Sequence, residues 1–285
     1  MYILVFDIGS TNIKTLILSI TGPRDDEKIK LLGKEKYRGT DFYSFFYKVL
    51  DKYKIEKNDI ETLVLTGTGT SFLDDTIDGI NVIKVDEHLA ISYGGILLSK
   101  YDEAVIVSIG TGTTIVYSNL NDYKRLGGTG LGGGTFVGLS NALINLQSDS
   151  SDIKPFEILV DYAKKGNHKN LDLLIGDISK NDILDMSTDI TAANFAKLSG
   201  NYRLEDTVAA TLNLVLENIS LLVKALNKDL TVVYIGTLVS DPYVQERLTE
   251  IADYTGSDIH FVKDGEFAIA IGAWEYYLLK LRKNY

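Results

Sequence analysis

The amino-acid sequence reads as an α/β chain in which two related halves share a cleft. Three features lead there. "FDIGSTNIKTLIL" at 6–18 and "VSIGTGTTIVYS" at 107–118 match each other as strand, Ile-Gly-Ser/Thr turn, strand. Each copy leads into a stretch where strand-period and helix-period patterns alternate. No Pro/Ser-rich linker or low-complexity tract separates the copies, so two lobes around a common cleft are expected rather than two tethered beads.

Composition fits a large folded core: 285 residues, 45% hydrophobic and 24% charged. The formal charge of −10, from 39 acidic against 29 basic residues, argues against nucleic acid or an anionic membrane as partner. There is no cysteine, which removes disulfides, thiolate catalysis and sulfur-ligated metals. The three histidines, His88, His168 and His260, lack metal-ligand spacing and are expected in structural or surface roles. The opening "MYILVFDIGS" has no signal-peptide pattern, and no apolar run is read as long enough to span a bilayer, so a cytoplasmic location is expected.

The elements follow in order. "YILVFDIGS", "NIKTLILSI" and "KIKLLGKEKYRG" predict an antiparallel meander, with a turn at "TGPRDDEK". "DFYSFFYKVLDKYKI" predicts a helix capped by Asp41 that gathers Phe42, Phe45, Phe46, Val49 and Tyr53 on one face. Strands at "TLVLTGTG" and "NVIKVD" come next, then a helix through "EHLAISYGGILLSKY".

The unit then restarts with "EAVIVSIGTGTTIVYSN" and "YKRLGGTG". "PFEILVDYAKKG" opens a helix with proline at its first position, and Leu204 to about Asn227 is a long helix. "TVVYIGT" is a buried-type strand. "DPYVQERLTEIADYTG" is a helix with Asp241 as cap and Gly256 as stop. "IHFVK" and "FAIAIGAWEYYLLKLRK" close the chain as strand and helix.

The Gly/Ser/Thr hairpins carry the chemistry. Their amides and hydroxyls, at Gly9, Ser10 and Thr11 and at Gly110, Thr111 and Gly112, suit phosphate oxygens. Asp7 is able to organise a magnesium ion through water, and Lys14 supplies a compact positive charge. The pair reads as the two jaws of a nucleotide clamp. Walker A spacing is absent, and "GTGLGG" lacks the βαβ setting of a dinucleotide site.

The cluster "LGGTGLGGGTF" at 126–136 concentrates glycine just ahead of a helical run. Gly132, Gly133, Gly134 and Thr135 would let main-chain amides approach an anion at that helix's N-terminus. Asp86 and Glu87 stand at a strand–helix junction between the jaws; either could take a proton from an attacking hydroxyl. Arg125, ahead of the glycines, could grip a carboxylate.

The order "DIGSTNIK", "VDEHLAISYGGILL", "SIGTGTTI", "YKRLGGTGLGGGTFVGLS", "DITAANFAK", "VVYIGT", "DGEFAIAIGA" resembles the type II pantothenate kinases, members of the actin, sugar-kinase and heat-shock ATPase superfamily. The resemblance implies a two-domain actin-like ATPase (ribonuclease H-like) fold with an interdomain cleft. The halves would be 1–103 and 104–285, with a helical insertion at about 145–230 and the last helix, about 266–285, packing back on the first half.

It also implies phosphorylation of the primary hydroxyl of pantothenate with ATP and Mg2+, as the first step towards coenzyme A, by a homodimer. Glu87 matches the base, with Asp86 as the alternative. Thr113, Thr114 and Arg125 match substrate contacts, and Lys14, the hairpin residues and Gly236 of "VVYIGT" match the ATP-binding set. The first motif departs from the family in reading "GST" where two glycines precede threonine. A kinase of another small alcohol such as an amino sugar, or a nucleotide-switch protein, are the alternatives on the same fold.

Overall fold

The computed structural model describes residues 1–22, 28–119, 121–148, 151–179, 187–199, 202–227 and 229–283. The predicted Gly-Pro-Asp turn between the second and third strands falls at 23–27, outside the described residues.

Three strands, β1 (Tyr2–Ile8), β2 (Asn12–Thr21) and β3 (Lys28–Arg38), form the expected meander. Helix α1 (Phe42–Tyr53) leads to β4 (Ile60–Thr66), the short hairpin β5 (Thr76–Ile77) and β6 (Ile80–Lys84), and helix α2 (Glu87–Ser99). The sheet order is β3-β2-β1-β4-β6-β5, with β1, β4 and β6 parallel.

The second half repeats this with β7 (Glu103–Ile109), β8 (Thr113–Asn119) and β9 (Tyr123–Thr129), then β12 (Val232–Ile235) and β13 (Ile259–Phe261), in the order β13-β12-β7-β8-β9. Antiparallel β9-β8-β7 followed by parallel β12 and β13 mirrors β3-β2-β1 followed by β4 and β6. The internal repeat read from the two hairpins is therefore a repeat of whole-sheet topology.

Between β9 and β12 lie α3 (Gly133–Ser148), α4 (Phe156–Lys165), the small β10 (Leu173–Leu174), α5 (Ile175–Ile178), β11 (Thr191–Ala193) and α6 (Leu204–Leu226). Helices α7 (Pro242–Thr255) and α8 (Ala268–Lys283) flank β13. Asp41 and Asp241 cap α1 and α7 through side-chain acceptance from Ser44 N and Tyr243 N, and Gly256 ends α7 in the left-handed region. Pro155 stands at the N-cap of α4 rather than at its first helical position, with extended backbone and no side-chain cap to offer.

Strand alternation divides the core into three layers. Leu4, Phe6, Ile8, Ile13 and Ile17 point to α1 and pack on its phenylalanines. Ile3, Val5, Leu16 and Leu18 point the other way, into a central layer of α2 and α8. That layer is shared: Ala104, Ile106, Val116, Val233 and Ile235 of the second sheet enter it from the opposite side. The outer face of the second sheet buries Val105, Val107, Ile109, Val232 and Tyr234 against α3, α4, α6 and α7.

Helices α2 and α8 cross at glycines. A Cβ on Gly94 would lie 2.7 Å from the Ala268 carbonyl carbon, and one on Gly272 would lie 2.5 Å from Gly94 N. Two ion pairs add a tie outside the core, Lys34–Asp264 at 2.5 Å and Lys36–Glu266 at 3.0 Å, linking β3 to the turn that opens α8.

Helix α6 corrects one expectation. It has 23 residues, of which an 18-residue stretch with a mean hydropathy of 1.4 is long and apolar enough to cross a membrane, but 67% of that stretch is buried inside the fold. It is the central helix of the outer layer. It also carries buried Asn213 and Glu217, whose side chains bond each other at 3.1 Å and tie in Asp172 and Tyr254. His168 joins the same polar hub through Asp172 at 3.1 Å, consistent with a structural role for this histidine.

Candidate active site

Two turns meet where the two sheets face one another. In the β1–β2 turn Gly9 N donates to Asn12 O at 3.1 Å, which leaves Ser10 and Thr11 exposed at the tip. In the β7–β8 turn Gly110 N donates to Gly112 O at 2.9 Å and Thr111 is the exposed tip. The tips meet: Ser10 Oγ donates to Thr111 Oγ1 at 3.0 Å, and the hydroxyls of Thr11 and Thr111 are 2.9 Å apart. Residues about a hundred positions apart thus share one hydroxyl cluster.

Below the tips, Asp7 and Lys14 are cross-strand partners on β1 and β2, 3.6 Å apart and both buried. Burial pushes the Asp7 carboxyl above its ordinary value, against the pull of Lys14. Glu87, the first residue of α2, is half-buried. Its carboxyl is also raised, by burial first, then by the charges of Asp7 and Asp86, with Lys14 opposing. A half-buried carboxylate held near a second carboxylate is the arrangement that tunes a general base towards neutral pH.

Asp86 does different work. It is the N-cap of α2, and its carboxylate accepts from Leu89 N at 3.0 Å and from the Tyr123 hydroxyl at 3.4 Å.

These groups open on a cavity of about 580 Å³. Of the residues singled out in the sequence, Asp7, Gly9, Ser10, Thr11, Lys14, Glu87, Gly110, Thr111, Gly112, Thr113, Thr114, Gly133 and Gly134 line it. Asp86, Arg125, Gly132, Thr135 and Gly236 do not. Thr135 donates its hydroxyl to Gly130 O at 2.9 Å. Gly236, at φ +109°, allows β12 to pass the Ile109 main chain, whose carbonyl carbon lies 2.8 Å from where a Cβ would stand. Arg125 is exposed on β9, opposite Val116 and so on the face that carries Thr114. Its Nη2 lies 3.1 Å from a Cβ position on Gly128. It flanks the cavity rather than lining it.

The glycine cluster differs from expectation in what comes close to it. Gly133 N and Gly134 N donate to Gly110 O at 2.8 Å and Thr111 O at 2.9 Å, so these two amides are spent on the neighbouring turn rather than left open to an anion. A Cβ on Gly132 would sit 2.6 Å from Thr111 O, and one on Gly134 would sit 2.6 Å from Thr111 Cγ2. Side chains are missing here because the start of α3 docks main chain to main chain against the β7–β8 turn, which fixes Thr111 at its tip.

Magnesium fits this site in one particular way. Among the described residues no three acidic or histidine side chains gather into a metal cage. Asp7 and Glu87 offer two carboxylates beside a phosphate-type cradle, which suits a small hard cation that keeps its waters and takes the rest of its oxygens from phosphates. The Thr66 hydroxyl, paired in register with Asp7 on β4, is buried and has no hydrogen-bond partner among the described residues, so a further polar group stands at this end of the sheet.

The Fumble family matches residues 11–275 of the chain. This chain belongs to the Fumble family. Its relatives include a type II pantothenate kinase of Bacillus cereus, 32% identical over 260 residues that cover 86% of this chain and 90% of the relative. The type II pantothenate kinase of Staphylococcus haemolyticus is 26% identical over 77% of this chain and 84% of its own.

Among solved structures, the activator of 2-hydroxyisocaproyl-CoA dehydratase from Clostridium difficile, with bound ADPNP, superposes with a TM-score of 0.65 at 20% identity, over 100% of this chain and 97% of that one. A ROK family protein from Streptococcus pneumoniae in complex with sucrose gives 0.55 at 15% identity, over 99% and 100%. The Fumble chain therefore has the actin-like ATPase and sugar-kinase fold.

Residues outside the sequence motifs also line the cavity: Lys36 and Arg38 of β3, Thr68 after β4, Phe156 and Glu157 of α4, and Thr237 after β12. For β3 a signal was present. In "KEKYR" the cations fall on alternate residues 34, 36 and 38, which places all three on one face of a strand. The helix and loop residues carry no comparable pattern.

Proposed function

We propose that this protein is a kinase that transfers the γ-phosphoryl group of ATP to the primary hydroxyl of pantothenate, the first step of coenzyme A biosynthesis. Family membership supports the acceptor. The observation that carries the mechanism is the meeting of Ser10 and Thr11 with Thr111 at a cavity that Glu87 also lines, its carboxyl raised mainly by burial. Two hairpin tips a hydrogen bond apart can grip one polyphosphate from both sides.

In this reading the hairpin hydroxyls and Lys14 hold the phosphates, and Thr114 and Arg125 orient the acceptor from the second sheet. Glu87 takes the proton from the acceptor hydroxyl. That oxygen forms the new P–O bond as the bond from the γ-phosphorus to the β–γ bridging oxygen breaks, and ADP leaves with the electron pair. Asp7, with Glu87, would hold magnesium through water; when bound, the ion neutralises charge on the phosphate oxygens. The two halves, divided near residue 103, would close on the substrates and exclude water. The family resemblance also brings a homodimer, and a cytoplasmic site of action goes with the metabolic role.

The test is ADP release from purified protein with ATP, magnesium and pantothenate, with the phosphorylated product identified by mass. Glu87→Gln is expected to lose roughly 10²- to 10⁴-fold in kcat while still binding nucleotide. Full activity in that variant would remove Glu87 from the mechanism. ADP release with an amino sugar and none with pantothenate would reassign the acceptor.

A further inference from the structure

The cleft face of the first sheet carries four cations in neighbouring register positions, Lys14 of β2 and Lys34, Lys36 and Arg38 of β3, of which Lys34 is paired with Asp264 at 2.5 Å. Lys14 on β2 stands opposite Lys36 on β3, and Asn12 stands opposite Arg38. Directly opposed like charges in an antiparallel pair are unfavourable, so such a row needs counter-charge. Lys14 has Asp7 at 3.6 Å, and Lys36 has Glu266 at 3.0 Å. Arg38 is exposed, lines the cavity, and forms no ion pair or side-chain hydrogen bond among the described residues. Its position is fixed from the next residue: Gly39 N donates to Thr11 O at 2.9 Å, tying the end of β3 to the β1–β2 tip.

From this we infer that Arg38 is a nucleotide-binding residue, a guanidinium that grips a phosphate of the bound polyphosphate beside Thr11. The inference rests on the kinase reading above and adds a contact from β3 to a phosphate site otherwise built from the two hairpins. The phosphate, rather than the carboxylate of the acceptor, is favoured because Arg38 flanks the hairpin tip. A planar fork pairs two phosphate oxygens at once, which a lysine cannot do.

The experiment is calorimetric titration of ADP into the full-length wild type, Arg38→Ala and Arg38→Lys, without acceptor, at two salt concentrations, beside steady-state kinetics. Arg38→Ala is expected to weaken ADP binding about five- to tenfold, to raise the KM for ATP by a similar factor with pantothenate KM unmoved, and to flatten the salt dependence. Arg38→Lys should fall between, because it keeps the charge and loses the fork. An unchanged melting temperature separates this from misfolding, as expected for an exposed side chain. Unaltered ADP affinity in Arg38→Ala overturns the inference, and so does a rise confined to pantothenate KM. Failure of the wild type itself to bind ADP would instead overturn the kinase reading.

Discussion

Glu87 and Asp86 are adjacent in the chain and separate in role. Both are acids at a strand–helix junction, so the sequence left either open as the base; what divides them is direction. The first turn of α2 commits Asp86 to the Leu89 amide and turns Glu87 into the cavity. A pH signature follows. With Glu87 as the proposed base, which must be ionised to act, burial with Asp7 and Asp86 nearby raises its pKa, so the acid limb of kcat/KM is expected above the ordinary carboxylate range of about 4.

The same shift has a stability sign. Since the folded state holds the Glu87 proton more tightly than the unfolded chain, the wild type loses stability as pH rises through the raised value. Glu87→Gln has no such loss. It should melt with the wild type near pH 4 and above it at pH 7, while being the less active enzyme at pH 7. Scanning calorimetry across that range checks this, and a variant melting lower than the wild type at pH 7 would contradict it.

At the scale of elements, the hairpins and the amphipathic α1 were legible because alternation and helical period are local. The rest was not, because its cause is distant. The six glycines at 127, 128, 130, 132, 133 and 134 announced that something approaches the backbone. What approaches Gly132 and Gly134 is the turn at Thr111, some twenty residues earlier. The glycines of α2 and α8 are a stronger case: Gly94 and Gly272 meet across 178 positions, and no window of sequence holds both. Gly94→Ala should cost roughly 2–4 kcal/mol in urea unfolding, because its methyl would strike main chain that cannot step aside. Gly138→Ala on α3, where nothing lies within 4 Å, should be neutral or stabilising by up to about 1 kcal/mol. Equal effects at the two positions would refute the close crossing.

Over the whole molecule, the two sheets do not have separate cores on their facing sides. Val5 and Ile106, from opposite sheets, bury themselves in the same layer of α2 and α8, and the Lys34–Asp264 and Lys36–Glu266 pairs span the same divide. The duplication was visible in the sequence; the shared layer was not, since α2 and α8 have weak amphipathic patterns because they are covered on more than one side. Heat should therefore unfold both halves in one transition, with calorimetric and van't Hoff enthalpies agreeing. Two resolved peaks would mean that the central layer does not couple them.

That layer also bears on how the chain comes to be folded during synthesis. β1 is synthesised well before α8, yet Ile3 and Val5 need Ala270 and Trp274 of α8 before their side of the sheet is covered. A chain that lacks α8 has an open apolar face on its first sheet, since α8 packs on β1, β2 and β4 whereas α2 covers β7, β8 and β12 of the second, and it would offer that face to chaperones and proteases. Docking of α8 closes the central layer and with it the fold that carries the cavity.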